Sequence, residues 1–249
     1  MKAKFAPVLR GMFICAFALS CLSVAVMAQE KKDQGPAISG DERAALEKLV
    51  KAQGLEAKTK AAAEYAKKFP KGVKRADVAG TIANEIYKIQ DNNQKIKAAE
   101  EFSKMFNQPG EADLVRPSLI EAYFATNKYD QGLDESLKYL EKNPEDVTIH
   151  VQVTWAGATQ TQKQAASPKL MKAAIESAAK GAELMGADKK PSWMADDRWS
   201  AYKNSWLWRL YYARAVVLTA NGQKAEAMES AEQAFGLEQN DVGLLLLLV

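Results

Sequence analysis

The sequence is short of thiols. Among 249 residues there are 2 cysteines, Cys15 and Cys21, and neither lies beyond position 28. Residues 29–249 therefore offer no disulfide framework, no cysteine nucleophile and no zinc site built on thiolates. Histidine is almost missing too. His150 stands alone, which excludes a catalytic or metal-holding cluster of imidazoles, and it reads as a surface or half-buried helix residue. No Walker loop, GxGxxG, Gly-x-Ser-x-Gly or His-Glu-x-x-His occurs. An excess of one charge is also lacking. The formal net charge is +3, but Lys2, Lys4 and Arg10 are the only charges in 1–28, and without them the basic and acidic side chains balance. Such a chain has no electrostatic case for nucleic acid.

What is there begins with an export signal. Lys2, Lys4 and Arg10 make a positive start, residues 11–28 are uncharged and mostly apolar, and Val26-Met27-Ala28 places small residues before the polar run Gln29-Glu30-Lys31. This is the pattern of a signal peptide over 1–28, cut after Ala28, with a second candidate cut after Ala25. Two alternatives stand beside it. Residues 11–28 are long enough to remain as an uncleaved anchor. Ala18-Leu19-Ser20-Cys21 also weakly resembles a bacterial lipobox, which would lipidate Cys21. All three place the remainder outside the cytoplasm, and the expected address is the periplasm. A mature chain without cysteine suits an oxidising compartment, because nothing in it can mispair.

Residues 29–40 read as a polar linker carrying Gly35-Pro36. Ser39 with Glu42 three residues later is a capping box that opens a helix. From there the chain is rich in Ala, Leu, Glu and Lys, which favour helix. The punctuation predicts helices over 41–53, 55–69, 74–90, 92–107, 111–126, 129–142, 145–161, 167–186, 194–221 and 223–237. Gly54, Gly72, Gly110, Gly186 and Gly222 fall where left-handed caps or tight turns are wanted, and Ser167-Pro168 reads as an N-cap followed by proline. One segment pulls the other way. Residues 147–155 alternate and are β-branched, as a half-buried strand would be. A lone strand would have no ladder partner, so helix is expected there as well.

The helices pair, and the pairs recur. Leu119, Ile120 and Tyr123, then Tyr129-Asp130 at a turn, Gly132 and Ser136 in a second helix and Pro144 at its end form one unit. This closely resembles a tetratricopeptide repeat (TPR), although Ile120 stands where the family has a small residue and Ser136 where it has an aromatic. A second match runs through Ala215, Asn221-Gly222 and Ala227, Ala231 and Ala234. Corresponding small residues at Ala98, Gly132, Ala174 and Ala227 are unevenly spaced, so the repeats are degenerate. The resemblance implies an all-α fold of antiparallel helix hairpins stacked as a right-handed solenoid of about five pairs over 41–249, best defined at 111–144 and 207–239. Asn240-Asp241 looks like a further N-cap, and 242–249 is almost wholly apolar. A terminal repeat normally shows a polar outer face, so the expectation is a truncated end or a short helix docked on the last hairpin.

The resemblance implies non-catalytic work: a protein-interaction scaffold or assembly factor of the bacterial envelope, with no cofactor and no metal. Its partner would be a protein or peptide, with membrane contact only through an uncleaved or lipidated N-terminus. The groove residues it implies, on the first helices of the best repeats, include Glu121, Phe124, Arg209 and Tyr212. The aromatic run gives a second set of candidates. Trp193, Trp199, Trp206 and Trp208 fall close together, with Trp199, Tyr202 and Trp206 on one helical stripe and Trp208, Tyr212 and Ala215 on another. Trp199 and Trp206 are thus partner-binding candidates, while the competing expectation is that the run is a packing surface. An alternative function is a periplasmic carbohydrate- or small-ligand-binding protein using 193–212. Asp196-Asp197 reads as the acidic first turn of a helix rather than an acid/base pair. Lys67, Lys68, Lys71, Lys74 and Arg75 read as a solvated hairpin corner.

Overall fold

In a computed structural model, the described residues are 37–187, 189–190, 192 and 194–238. They form ten α-helices in chain order: α1 Gly40–Lys51, α2 Gly54–Lys68, α3 Arg75–Tyr87, α4 Asn92–Met105, α5 Arg116–Ala125, α6 Tyr129–Leu140, α7 Val147–Gln162, α8 Pro168–Gly186, α9 Asp196–Ala220 and α10 Lys224–Leu237. No strand occurs among the described residues. Each helix packs on the next, which makes consecutive hairpins, and α9 touches α7, α8 and α10. The fold is thus all-α, with helix pairs stacked in chain order. The N-terminal residues 1–36, Cys15 and Cys21 included, the apolar end 242–249 and Trp193 lie outside the described residues.

Local chemistry sets the boundaries. Asp91, Asp146 and Ser167 accept from the backbone N–H three residues on and open α4, α7 and α8. Gly54, Gly110 and Gly222 adopt positive φ at turns, whereas Gly186 is the last residue of α8 and does not. Segment 111–126 is divided: a single 3-10 turn, Ala112–Leu114, precedes α5, which starts again with Pro117 in its first turn. The strand-like stretch 147–155 is helical. Its β-branched residues are tolerated because Ile149, Val151, Val153 and Thr154 are all buried by neighbouring helices.

The core is a chain of clusters, each shared between neighbouring pairs. Tyr65, Ile82, Phe102 and Tyr123 belong to one that runs from α1 to α5. Ile120, Leu133, Ile149 and Leu170 link α5 through α8. Val151, Met185 and Leu210, and separately Ala174, Ala213 and Val217, join α7, α8 and α9. A hairpin on its own would expose such faces, so stacking is what buries them.

Small residues set the helix spacing. A Cβ on Gly157 would fall well inside contact distance of the Ala174 Cβ, so α7 and α8 cross backbone to backbone there. In α6, a Cβ on Gly132 would lie 2.6 Å from a ring carbon of Phe124 in α5. Ala227 is buried as the repeat pattern expects, but in α4 the buried alanine is Ala99, and Ala98 is only half-buried.

Two polar joints fasten the first half. Glu42 completes only half of its capping box: Ser39 Oγ accepts from the Glu42 N–H, but the Glu42 carboxylate turns inward. It accepts from Tyr65 Oη at 2.5 Å and from the Lys74 N–H at 3.2 Å. Gly72 has to be glycine for this contact, since a Cβ there would lie 2.8 Å from Glu42 Oε1. Arg75 is not part of a solvated corner. It is 6% exposed, forks onto Glu111 at 2.7 and 2.9 Å, and donates to the carbonyl of Ala66 at 3.0 Å. Its guanidinium also lies over Phe106. The neighbouring lysines do stay at the surface, where Lys68 pairs with Asp41 and Lys74 with Asp77.

Two predictions follow from this packing. Gly157→Ala forces α7 and α8 apart and is expected to cost ~1–3 kcal/mol, read as a lower urea midpoint at unchanged slope. The second concerns alkali. Burial, then the Asp146 carboxylate, pushes the Tyr139 hydroxyl up to about 12. Burial, with Glu42 and Glu100 as hydrogen-bond acceptors, raises Tyr65 and Tyr123 as well. Raised acids hold their protons longer in the native state than in the unfolded chain. Their contribution is complete below the unfolded tyrosine value of about 10 and is lost as pH climbs above it. Urea midpoints should therefore be flat between about pH 7 and 10 and fall above about pH 10, with tyrosinate absorbance lagging behind that of the unfolded chain.

Candidate functional site

Helix α9 carries the aromatic run because its rings recur at helical spacing. On the first stripe Trp199 stacks on Tyr202 at 5.9 Å with the planes 26° apart, and Tyr202 meets Trp206 at 5.6 Å. The indoles of this stripe are core. Trp199 is 9% and Trp206 6% exposed, and both pack with Val151, Met185, Leu207 and Leu210 between α7, α8 and α9. Arg209 is exposed and places its guanidinium over the Trp206 ring at 5.6 Å.

The second stripe reaches across to another helix. Trp208 and Tyr212 stack at 5.5 Å with the planes 17° apart. Tyr212 then meets Trp155 of α7 at 6.3 Å and 36°. Gln162, also of α7, donates from Nε2 to Tyr212 Oη at 3.4 Å. Three rings thus form a row across the α7–α9 seam, and Trp155, at 37% exposed, is its open end. Sequence reading passed over Trp155 because it stands apart from the other tryptophans, in the segment with the strand-like pattern. On a helical period it joins Gln152, Thr159 and Gln162 in one lane.

That lane has an unusual composition. Helix α7 has 16 residues and none is Lys, Arg, Asp or Glu, in a chain that is 26% charged. From Ile149 to Gln160 only Gln152, Trp155 and Thr159 are not buried. Gln152 Oε1, Thr161 Oγ1 and Trp208 Nε1 are buried with no hydrogen-bond partner among the described residues. His150 is on the opposite side of the helix. It is buried rather than at the surface, with Nε2 2.9 Å from the Pro144 carbonyl.

The other candidates belong to the α5/α6 hairpin. Phe124 is half-buried against Gly132 and faces Tyr129 at 6.1 Å, so its ring packs within the hairpin. Glu121 is exposed, with Oε2 4.0 Å from the Lys95 ammonium of α4. Asp196 and Asp197 open α9, where negative charge meets the positive helix end. Among the described residues no group of three or more His, Cys, Asp or Glu side chains could hold a metal ion. No described helix is long and apolar enough to cross a membrane.

No protein-family model matches this chain, and no curated protein matches it. A solved structure described as MamA protein superposes with a TM-score of 0.49, covering 80% of this chain and 92% of that one, at 13% sequence identity.

The two aromatic stripes should respond differently to truncation. Trp206→Ala is expected to cost ~3–5 kcal/mol as a core cavity. Trp155→Ala, at the open end of its row, is expected to cost under about 1 kcal/mol. Urea denaturation of the two variants checks the division.

Proposed function

We propose that this chain is an exported, non-catalytic scaffold or assembly factor of the bacterial cell envelope, which holds a protein partner against its stacked helix pairs. The observation that carries the reading is the aromatic row Trp155–Tyr212–Trp208, which crosses from one helix to another and opens to solvent at Trp155. Trp and Tyr supply large, rigid contact area and dominate protein interfaces. Support for the envelope comes from the N-terminal charge pattern, the apolar stretch 11–28 and the absence of cysteine from 29–249. Support for a scaffold comes from the stacked hairpins and from the TPR-like spacing at 111–144 and 207–239. The carbohydrate reading loses ground on 193–212, because Trp199 and Trp206 turn their rings into the core.

The test is affinity capture with the full chain from detergent-solubilised envelope, beside a Tyr212→Ala/Arg209→Ala double variant, read by mass spectrometry. A protein enriched by the wild type and lost with the variant supports the scaffold. Capture of nothing above background overturns it.

A further inference from the structure

The seam between α7 and α9 has a specific chemistry, set by four side chains of one lane and two rings of its neighbour. Gln152, Trp155, Thr159 and Gln162 bring two amides, a hydroxyl and an indole, all without charge. Tyr212 and Trp208 extend the indole into a row. From Gln152 to Gln162 the lane runs about 15 Å along the helix. Any charged group laid on it would give up water and find no countercharge on α7, a cost that selects against acidic and basic ligands alike.

A polyproline-type segment matches each part of this surface. It has no internal hydrogen bonds, so its carbonyls are free to accept from side-chain amides and hydroxyls. Proline has no N–H that would need an acceptor, and its ring packs on aromatic faces. The segment is already extended, so little entropy is lost on docking. At about 3.1 Å per residue, the lane accommodates roughly five residues.

We propose that the α7–α9 seam binds an uncharged, proline-bearing extended peptide segment of the partner, with Trp155 and Tyr212 taking the apolar rings and Gln152, Thr159 and Gln162 the backbone. This assignment rests on the protein-scaffold reading and names the chemistry of its partner. The α7 lane can form no ion pair with what lies on it, so its share of the binding is insensitive to salt, unlike recognition through ion pairs.

The test pans a random peptide display library on the full chain, on W155A and on Q162A, at low and at high salt. The expected result is enrichment of proline-bearing sequences with an uncharged central stretch, equal at both salt levels. Synthetic versions should bind W155A about tenfold more weakly or worse and Q162A more weakly than wild type, with both variants melting as the wild type does. Enrichment of acidic or basic sequences, equal retention by W155A, or no enrichment at all overturns the assignment. So does binding of neutral oligosaccharides that W155A abolishes. Envelope capture with W155A separates the two levels of inference. A partner held equally by W155A and wild type removes the seam and leaves the scaffold, whereas no partner for either removes the scaffold.

Discussion

Close approach of helix backbones is the constraint on which this stack depends. Dispersion and apolar burial fall off steeply with separation, so a hairpin with bulky residues at its crossing would leave gaps on either side. Gly157 over Ala174 and Gly132 under Phe124 remove that obstacle at two crossings. The clusters on either side can then close: Ile149 and Leu170 meet in one, Ala174 and Val217 in the next. No single centre organises the molecule, and each hairpin's stability is borrowed from the hairpins beside it.

The two halves hold together by different means. In the first, buried polar joints supplement apolar contact. Arg75 ties the end of α2 to the Glu111 turn, and Glu42 ties α1 to Tyr65 and to the backbone before α3. Such groups are costly to bury unless every donor and acceptor is matched, and both joints come close to that. In the second half, α7, α8 and α9 rely on alanine, glycine and tryptophan, and several buried polar atoms of α7 and α9 remain without a partner. The first half closes on itself through these joints, and the second carries the open aromatic row.

Much of this architecture was legible in the sequence. Helix existence and order followed from punctuation: Ser167 caps α8 as expected, and Gly110 and Gly222 mark turns between helices. Pro117 broke a helix into a turn and a shorter helix, a local effect that the apolar period alone conceals. The site was harder to see. Burial of Trp199 and Trp206 depends on where α7 and α8 lie, and Trp155 becomes part of the site only when Tyr212 arrives from a segment far along the chain. Arg75 was likewise hidden, because Glu111 reaches it from across the fold and nothing in a basic run announces such a partner.

The charge-free helix α7 also governs how this region can be observed. With Lys142 before it and Lys163 after it, α7 contains no primary amine. Amine-directed labels and crosslinkers therefore pass over α7 and report only its flanks. Trypsin, which cuts after lysine and arginine, releases residues 143–163 as one fragment, carrying Gln152, Trp155, Thr159 and Gln162 together. A footprint from indole oxidation, read on that single fragment, would report the covering of Trp155 without interference from the other tryptophans.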